Sequence, residues 1–151
     1  MNKIQLAVTS EQAQVIASAL DLYSRLSMGQ VCVFAEMISM EEIPVYSSHS
    51  APSKRISADQ CDLVREKIKE VSGILGYSGF GHSLGVGNKN VPIAGHRAYE
   101  ISKVLEKVLA EQRDPNPRSR GVNYDGLRIR YTQDPAPECA VIENESPNEK
   151  A

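Results

Sequence analysis

Apolar residues recur at spacings of three and four in three separate stretches of the chain. From Ser10 onward, Ile16, Ala19, Leu20, Tyr23 and Leu26 keep this spacing. Thr9 and Gln12 stand at capping-box distance before them, and Gly29 is a natural stop. The pattern predicts a helix over 10–28, with Tyr23 in the core. Ser57 and Gln60 repeat the capping-box spacing. Cys61, Val64, Ile68, Val71 and Leu75 follow, which predicts a second helix over 58–75 with Cys61 on its buried side. Pro92 suits the first turn of a third helix, where its missing N–H would have no helical partner. In that helix Ala94, Ala98, Ile101, Leu105 and Val108 form an apolar stripe. Glu100, Lys103, Glu106, Lys107 and Glu111 are assigned to the wet side. The helix should stop before Asp114-Pro115.

Other stretches alternate instead. Ile4, Leu6 and Val8 suggest a short half-buried strand. In 127–132, Leu127, Ile129 and Tyr131 alternate with Arg128, Arg130 and Thr132, and Cys139 to Glu143 suggests one more strand. VCVFAEMI at 31–38 fits strand or helix. The proline- and serine-rich segment after it reads as a connector, with a short edge strand at 43–47. Three main helices with a small antiparallel sheet of short strands and no regular βαβ alternation predict an α+β fold. Residues 1–143 are expected to form a single ligand-binding domain, followed by a frayed tail at 144–151.

Composition narrows the function. A formal net charge of −2 argues against a partner in long nucleic acid. No apolar run approaches the ~20 residues of a membrane span, and the N-terminus lacks the pattern of a signal peptide. Three cysteines at wide spacings make neither a disulfide framework nor a metal pair, and a reduced cytoplasm is the simplest home. His49, His82 and His96 lack metal-ligand spacing with them, so neither metal nor cofactor is expected.

The stretch GYSGFGHSLGVGNKNVP at 76–92 holds five of the ten glycines and runs into the third helix. Bare backbone lets a ligand approach closely, and a helix N-terminus offers free N–H groups and a positive dipole end to an anion. Gly85, Gly87, Asn88 and Asn90 lead into that terminus. Phe80 or Tyr77 can stack on a base. The glycine spacing matches neither the dinucleotide fingerprint nor the Walker loop. A mobile helix–helix connector is the bland alternative. Segment 113–130 adds five arginines and no lysine (Arg113, Arg118, Arg120, Arg128 and Arg130), a composition suited to bidentate phosphate contacts. The solvated face of an edge strand explains Arg128 and Arg130 equally well. Arg25 reads as a surface arginine by default and joins the candidate ligand contacts.

ALDLYSRLSMGQ in the first helix, the glycine-rich stretch with NVP and HRAYEISKVLEKVL, and GVNYDG before an arginine-bearing segment occur in a telling order. This order resembles that of the phage anti-Thoeris sponge family, first type, over residues 10–30 and 76–132. The resemblance implies a protein that binds cyclic ADP-ribose isomers made by a bacterial TIR-domain defence enzyme. It would hold the signal without degrading it, in the cytoplasm of the infected host. It also implies a homodimer or higher homo-oligomer, and some members hold cyclic oligonucleotides. By similarity, Phe80 would stack on adenine, Asn90 would bond the ligand, and Arg128, Arg130 and Thr132 would be polar contacts. His82, Gly85, Gly87, Asn88 and Arg25 complete the candidate ligand set, with no catalytic residue. The alternatives are a phosphodiesterase for the same ligands, with His82 as general base, and a structural or protein-interaction module.

Overall fold

Reciprocal side-chain caps close the start of two helices. Thr9 Oγ1 accepts from the Gln12 N–H at 3.3 Å, while Gln12 Oε1 accepts from the Thr9 N–H at 3.0 Å. Ser57 and Gln60 make the same exchange at 3.2 and 2.9 Å. In the computed structural model, which describes residues 3–44 and 56–142, these caps open α1 (Ser10–Ser27) and α3 (Ala58–Ile74). Between them lies α2 (Val33–Ser39), so the ambiguous 31–38 stretch is largely helical. The longest helix, α4 (Ile93–Arg113), starts directly after Pro92 and stops before Asp114-Pro115. A 3-10 turn at Val122–Tyr124 follows, and Tyr124 Oη donates to the Asp114 carbonyl to close the loop between them.

The expected α+β fold is not what forms. Among the described residues the regular structure is entirely helical, with no strand and no sheet. Segments 4–8, 127–132 and 139–142 are irregular chain. Alternation makes a strand only when a second strand supplies a hydrogen-bonding ladder. In the 127–132 segment a side chain takes two of the N–H groups instead, those of Tyr131 and Thr132. The proposed edge strand at 43–47 and the end of the last one, at residue 143, fall largely or wholly outside the described residues.

The core is the contact between α1 and α4, which run antiparallel. Ser10 near the start of α1 bonds Gln112 near the end of α4 at 3.0 Å, and Arg113 reaches Gln14. Small residues make this contact close. Ala17, Ser24, Ala98 and Ser102 are all buried. A Cβ on Gly95 would lie 2.5 Å from Ser27 Cβ. The helix faces therefore differ from those read from the spacing of large apolar residues. Tyr23 is 50% exposed and Leu26 44%, while Ile101 and Ala94 of the expected α4 stripe are also exposed. Cys61 is only half-buried, because among the described residues α3 touches no helix but α2.

The supposed wet side of α4 is covered by the chain that follows it. The side chains of His96, Tyr99, Glu100, Lys103 and Lys107 lie close in angle on a 3.6-residue helix. The segment from Gly126 to Asp134 packs across them. Gly126 sits against the Lys107 stem, Tyr131 against His96 and Tyr99, and Thr132 on Glu100. Glu100 is 2% exposed, which overturns its assignment to solvent. No helix among the described residues is long and apolar enough to cross a membrane.

Candidate functional site

The first half of the glycine stretch is fastened to the end of α1. Leu84 N–H donates to the Met28 carbonyl just after α1, and Tyr77 N–H donates to the Ser72 carbonyl in the last turn of α3, both at 2.8 Å. Gln30 Nε2 donates to Ser83 Oγ at 2.9 Å, and Ser83 Oγ also accepts from the Gly85 N–H at 3.1 Å. Arg25 completes this polar chain, donating to Gln30 Oε1 at 3.0 Å and to Glu36 Oε2 at 2.8 Å. His82 stacks on Tyr77 with ring centroids 4.6 Å apart, and its Nδ1 faces Ser78 Oγ at 3.1 Å. Arg25, His82 and Gly85 are thus gathered at one end of the stretch. Phe80 is half-buried between the residues so fixed.

Gly29 is what allows that docking. Its φ of +82° lies in the left-handed region, and a Cβ there would meet the Tyr77 ring at 2.8 Å. Gly29→Ala should lower stability by about 2 kcal/mol through the combined backbone and ring conflict. Thermal unfolding checks the magnitude. Faster amide exchange at Leu84, whose acceptor is the neighbouring Met28 carbonyl, would show that the stretch has come away from α1.

The second half reaches α4 and the arginine-bearing segment. Asn88 Oδ1 accepts from the Asn90 N–H at 2.9 Å, and the Asn88 carbonyl accepts from Val91, making a tight turn before Pro92. A Cβ on Gly87 would touch Tyr131 at 3.4 Å. Tyr131 in turn lies 5.6 Å from His96 and edge-on to Tyr99 at 5.8 Å. The N-terminus of α4 has no side-chain cap and no acidic residue in its first turn. Its amides and dipole favour an anion there.

Glu100 fixes the arginine-bearing segment. Its carboxylate accepts from Tyr131 N–H at 2.6 Å, Thr132 N–H at 2.8 Å and Thr132 Oγ1 at 2.8 Å. Burial pushes the Glu100 carboxyl up, but these bonds, aided by the positive charge of Arg130, outweigh it and leave it below the usual range. Asp134 is also held low, first by its hydrogen bond from Arg97 and in part by Arg130. Arg130 itself is exposed and reaches the Thr132 carbonyl at 3.5 Å.

The candidates therefore separate by role. Gly87, Asn88 and Asn90 belong to the end of the stretch that meets Tyr131 and the α4 N-terminus, while Arg130, next to Tyr131 in the chain, reaches the Thr132 carbonyl and stands near Glu100 and Asp134. Thr132 is buried and directs its N–H and hydroxyl to Glu100. Arg128 is largely exposed and pairs with Asp125. Tyr131, His96, Gln30, Ser83 and Glu100 were missed as site or positioning residues. Tyr131 was visible only as the apolar side of an alternating run, and Glu100 only as one acid in a charged helix. No group of histidine, cysteine, aspartate and glutamate among the described residues is placed to hold a metal ion. A groove of about 410 Å³ between α2 and α3, lined by Ile38, Cys61 and Arg65 among others, shares no residue with the glycine stretch. Comparison with family models, curated proteins and solved structures gives no match to this chain.

Proposed function

We propose that the chain binds a small anionic cyclic nucleotide, of the cyclic ADP-ribose class or a cyclic oligonucleotide, and holds it without converting it. In this reading the protein is a phage-encoded sponge that withdraws an immune signal inside the infected bacterium and acts as a homo-oligomer. The contact of Gly87 with Tyr131 carries the reading. It joins the glycine stretch to the arginine-bearing segment beside an uncapped helix N-terminus. Bare backbone meets an aromatic ring there, free helical amides follow at the start of α4, and the residue before Tyr131 carries the exposed guanidinium of Arg130. Those groups suit a phosphate, a ribose and a base. The resemblance of the motif order to that of the sponge family points to the same ligand class.

Sequestration of a dilute signal needs tight binding, and a Kd of ~10 nM corresponds to about −11 kcal/mol. Isothermal titration against cyclic ADP-ribose isomers and a panel of cyclic di- and trinucleotides tests the proposal, followed by denaturation and chromatography of the released ligand. Tight binding with unchanged ligand is the expected result. Converted ligand would establish the phosphodiesterase alternative. No binding to any member would leave the interaction module. Arg130→Ala should weaken binding at least tenfold, since a charge-assisted contact to phosphate contributes about 1.5–3 kcal/mol.

A further inference from the structure

The face of α1 turned away from α4 carries an apolar seam that the described residues leave largely open. Val15, Ala19, Leu22 and Leu26 follow at spacings of four, three and four, and fall within an arc of about 60° on the helix. This is the hydrophobic repeat of a coiled-coil seam. Ala17 and Ser24, the buried residues of α1, lie on the opposite side. On the seam Val15 is 68% exposed and Leu26 44%, with Tyr23 beside them at 50%. Ala19 is exposed and Leu22 half-buried.

The seam is complementary to itself. A two-fold axis through the midpoint of α1, between Ser18 and Ala19, lays two copies of the helix antiparallel along their full length. Val15 then lies opposite Leu22 of the second copy. Ser18 and Ala19 at the crossing are both small and both exposed, so the two backbones can approach closely. Glu11, Ser18 and Arg25 follow at seven-residue intervals along one flank. In the antiparallel arrangement this flank meets itself, so Glu11 of each copy lies beside Arg25 of the other. Two opposite-charge pairs form, and each Arg25 then stands between its own Glu36 and the other copy's Glu11. The Arg25 side chain keeps 34% of its surface exposed while bonded to Glu36, so it can take a second carboxylate.

The geometry points to a second copy of this chain as the occupant: α1 pairs with α1 across an antiparallel, two-fold seam centred on Ser18 and Ala19. This gives a surface to the homo-oligomer of the proposed function, but it concerns the protein without ligand, so it stands or falls apart from any titration with nucleotides. Sedimentation equilibrium of the full chain should show a dimer. Val15→Lys should weaken it at least tenfold with unchanged helical circular dichroism, because residue 15 touches little in the single chain. Glu11→Lys should weaken it less, and the loss should shrink as salt is added. Ser18→Cys, with Cys61 and Cys139 replaced by serine, should oxidise to a covalent dimer far faster than Gln14→Cys in the same background. A chain that sediments as a monomer at every concentration would overturn the inference. So would a dimer that tolerates Val15→Lys, or one in which the cysteine at 18 crosslinks no faster than that at 14, as association through α3 would produce.

Discussion

Glu100→Ala should lower the stability of the chain by about 3 kcal/mol, because it leaves two backbone N–H groups and one hydroxyl without their acceptor in a buried place. For a chain of 151 residues this corresponds to a fall in Tm of roughly 9 °C. Glu100→Gln should cost less, about 1 kcal/mol. Its amide oxygen can still accept from both N–H groups, and its NH₂ can donate to Thr132 Oγ1. The two variants also separate in pH. The Glu100 carboxyl sits below its ordinary value of 4.5 when folded. Its contribution is therefore complete above the unfolded pKa and is lost as the pH falls through the lower, folded one. Thermal scans from about pH 7 to about pH 3 should show a steeper acid loss for the native chain than for Glu100→Gln. Parallel curves would mean that the carboxylate is not held by its hydrogen bonds in solution. Ligand affinity should fall with Glu100→Ala even where the chain remains folded, because Arg130 and Tyr131 depend on this acid for their place.

The second large effect is expected at Gly95. A methyl group there would lie 2.5 Å from Ser27 Cβ and 3.2 Å from Val91 Cγ1. Alanine gains about 1 kcal/mol of helix propensity over glycine but must move α1 away from α4. Gly95→Ala should thus lose about 1 kcal/mol net, and Gly95→Leu about 3 kcal/mol, by prising apart the principal helix contact. Denaturant titration of both variants measures this. A neutral Gly95→Leu would show that the two helices are not in close contact near Ser27.

Much of the helical skeleton was legible because its signals are local. Thr9 with Gln12, Ser57 with Gln60, and Pro92 and Asp114-Pro115 mark helix ends through groups within one turn. The limits of α1, α3 and α4 follow from them. Helix faces were not legible in the same way. Large apolar residues are normally read as the inward face, but here α1 meets α4 through Ala17, Ser24, Gly95, Ala98 and Ser102, whose pattern carries little hydrophobic contrast. The strands failed for a related reason. Alternation at 127–132 describes a segment with two different sides, and the partner turned out to be a glutamate on a helix. Within the candidate site, the glycine stretch and the arginine-bearing segment each stood out by composition. Their approach, Gly87 to Tyr131, did not, since it joins residues far apart in the chain.

The interior has a thermodynamic consequence. Among the described residues, four of the buried apolar ones are alanines, and the largest fully buried side chain is Val33. Unfolding a single chain re-exposes little hydrocarbon, so its heat-capacity change and its m-value should both be small for its length. Cooperativity would then come from whatever covers the outer faces. The melting temperature should rise with protein concentration, and the denaturation curve should sharpen as copies associate.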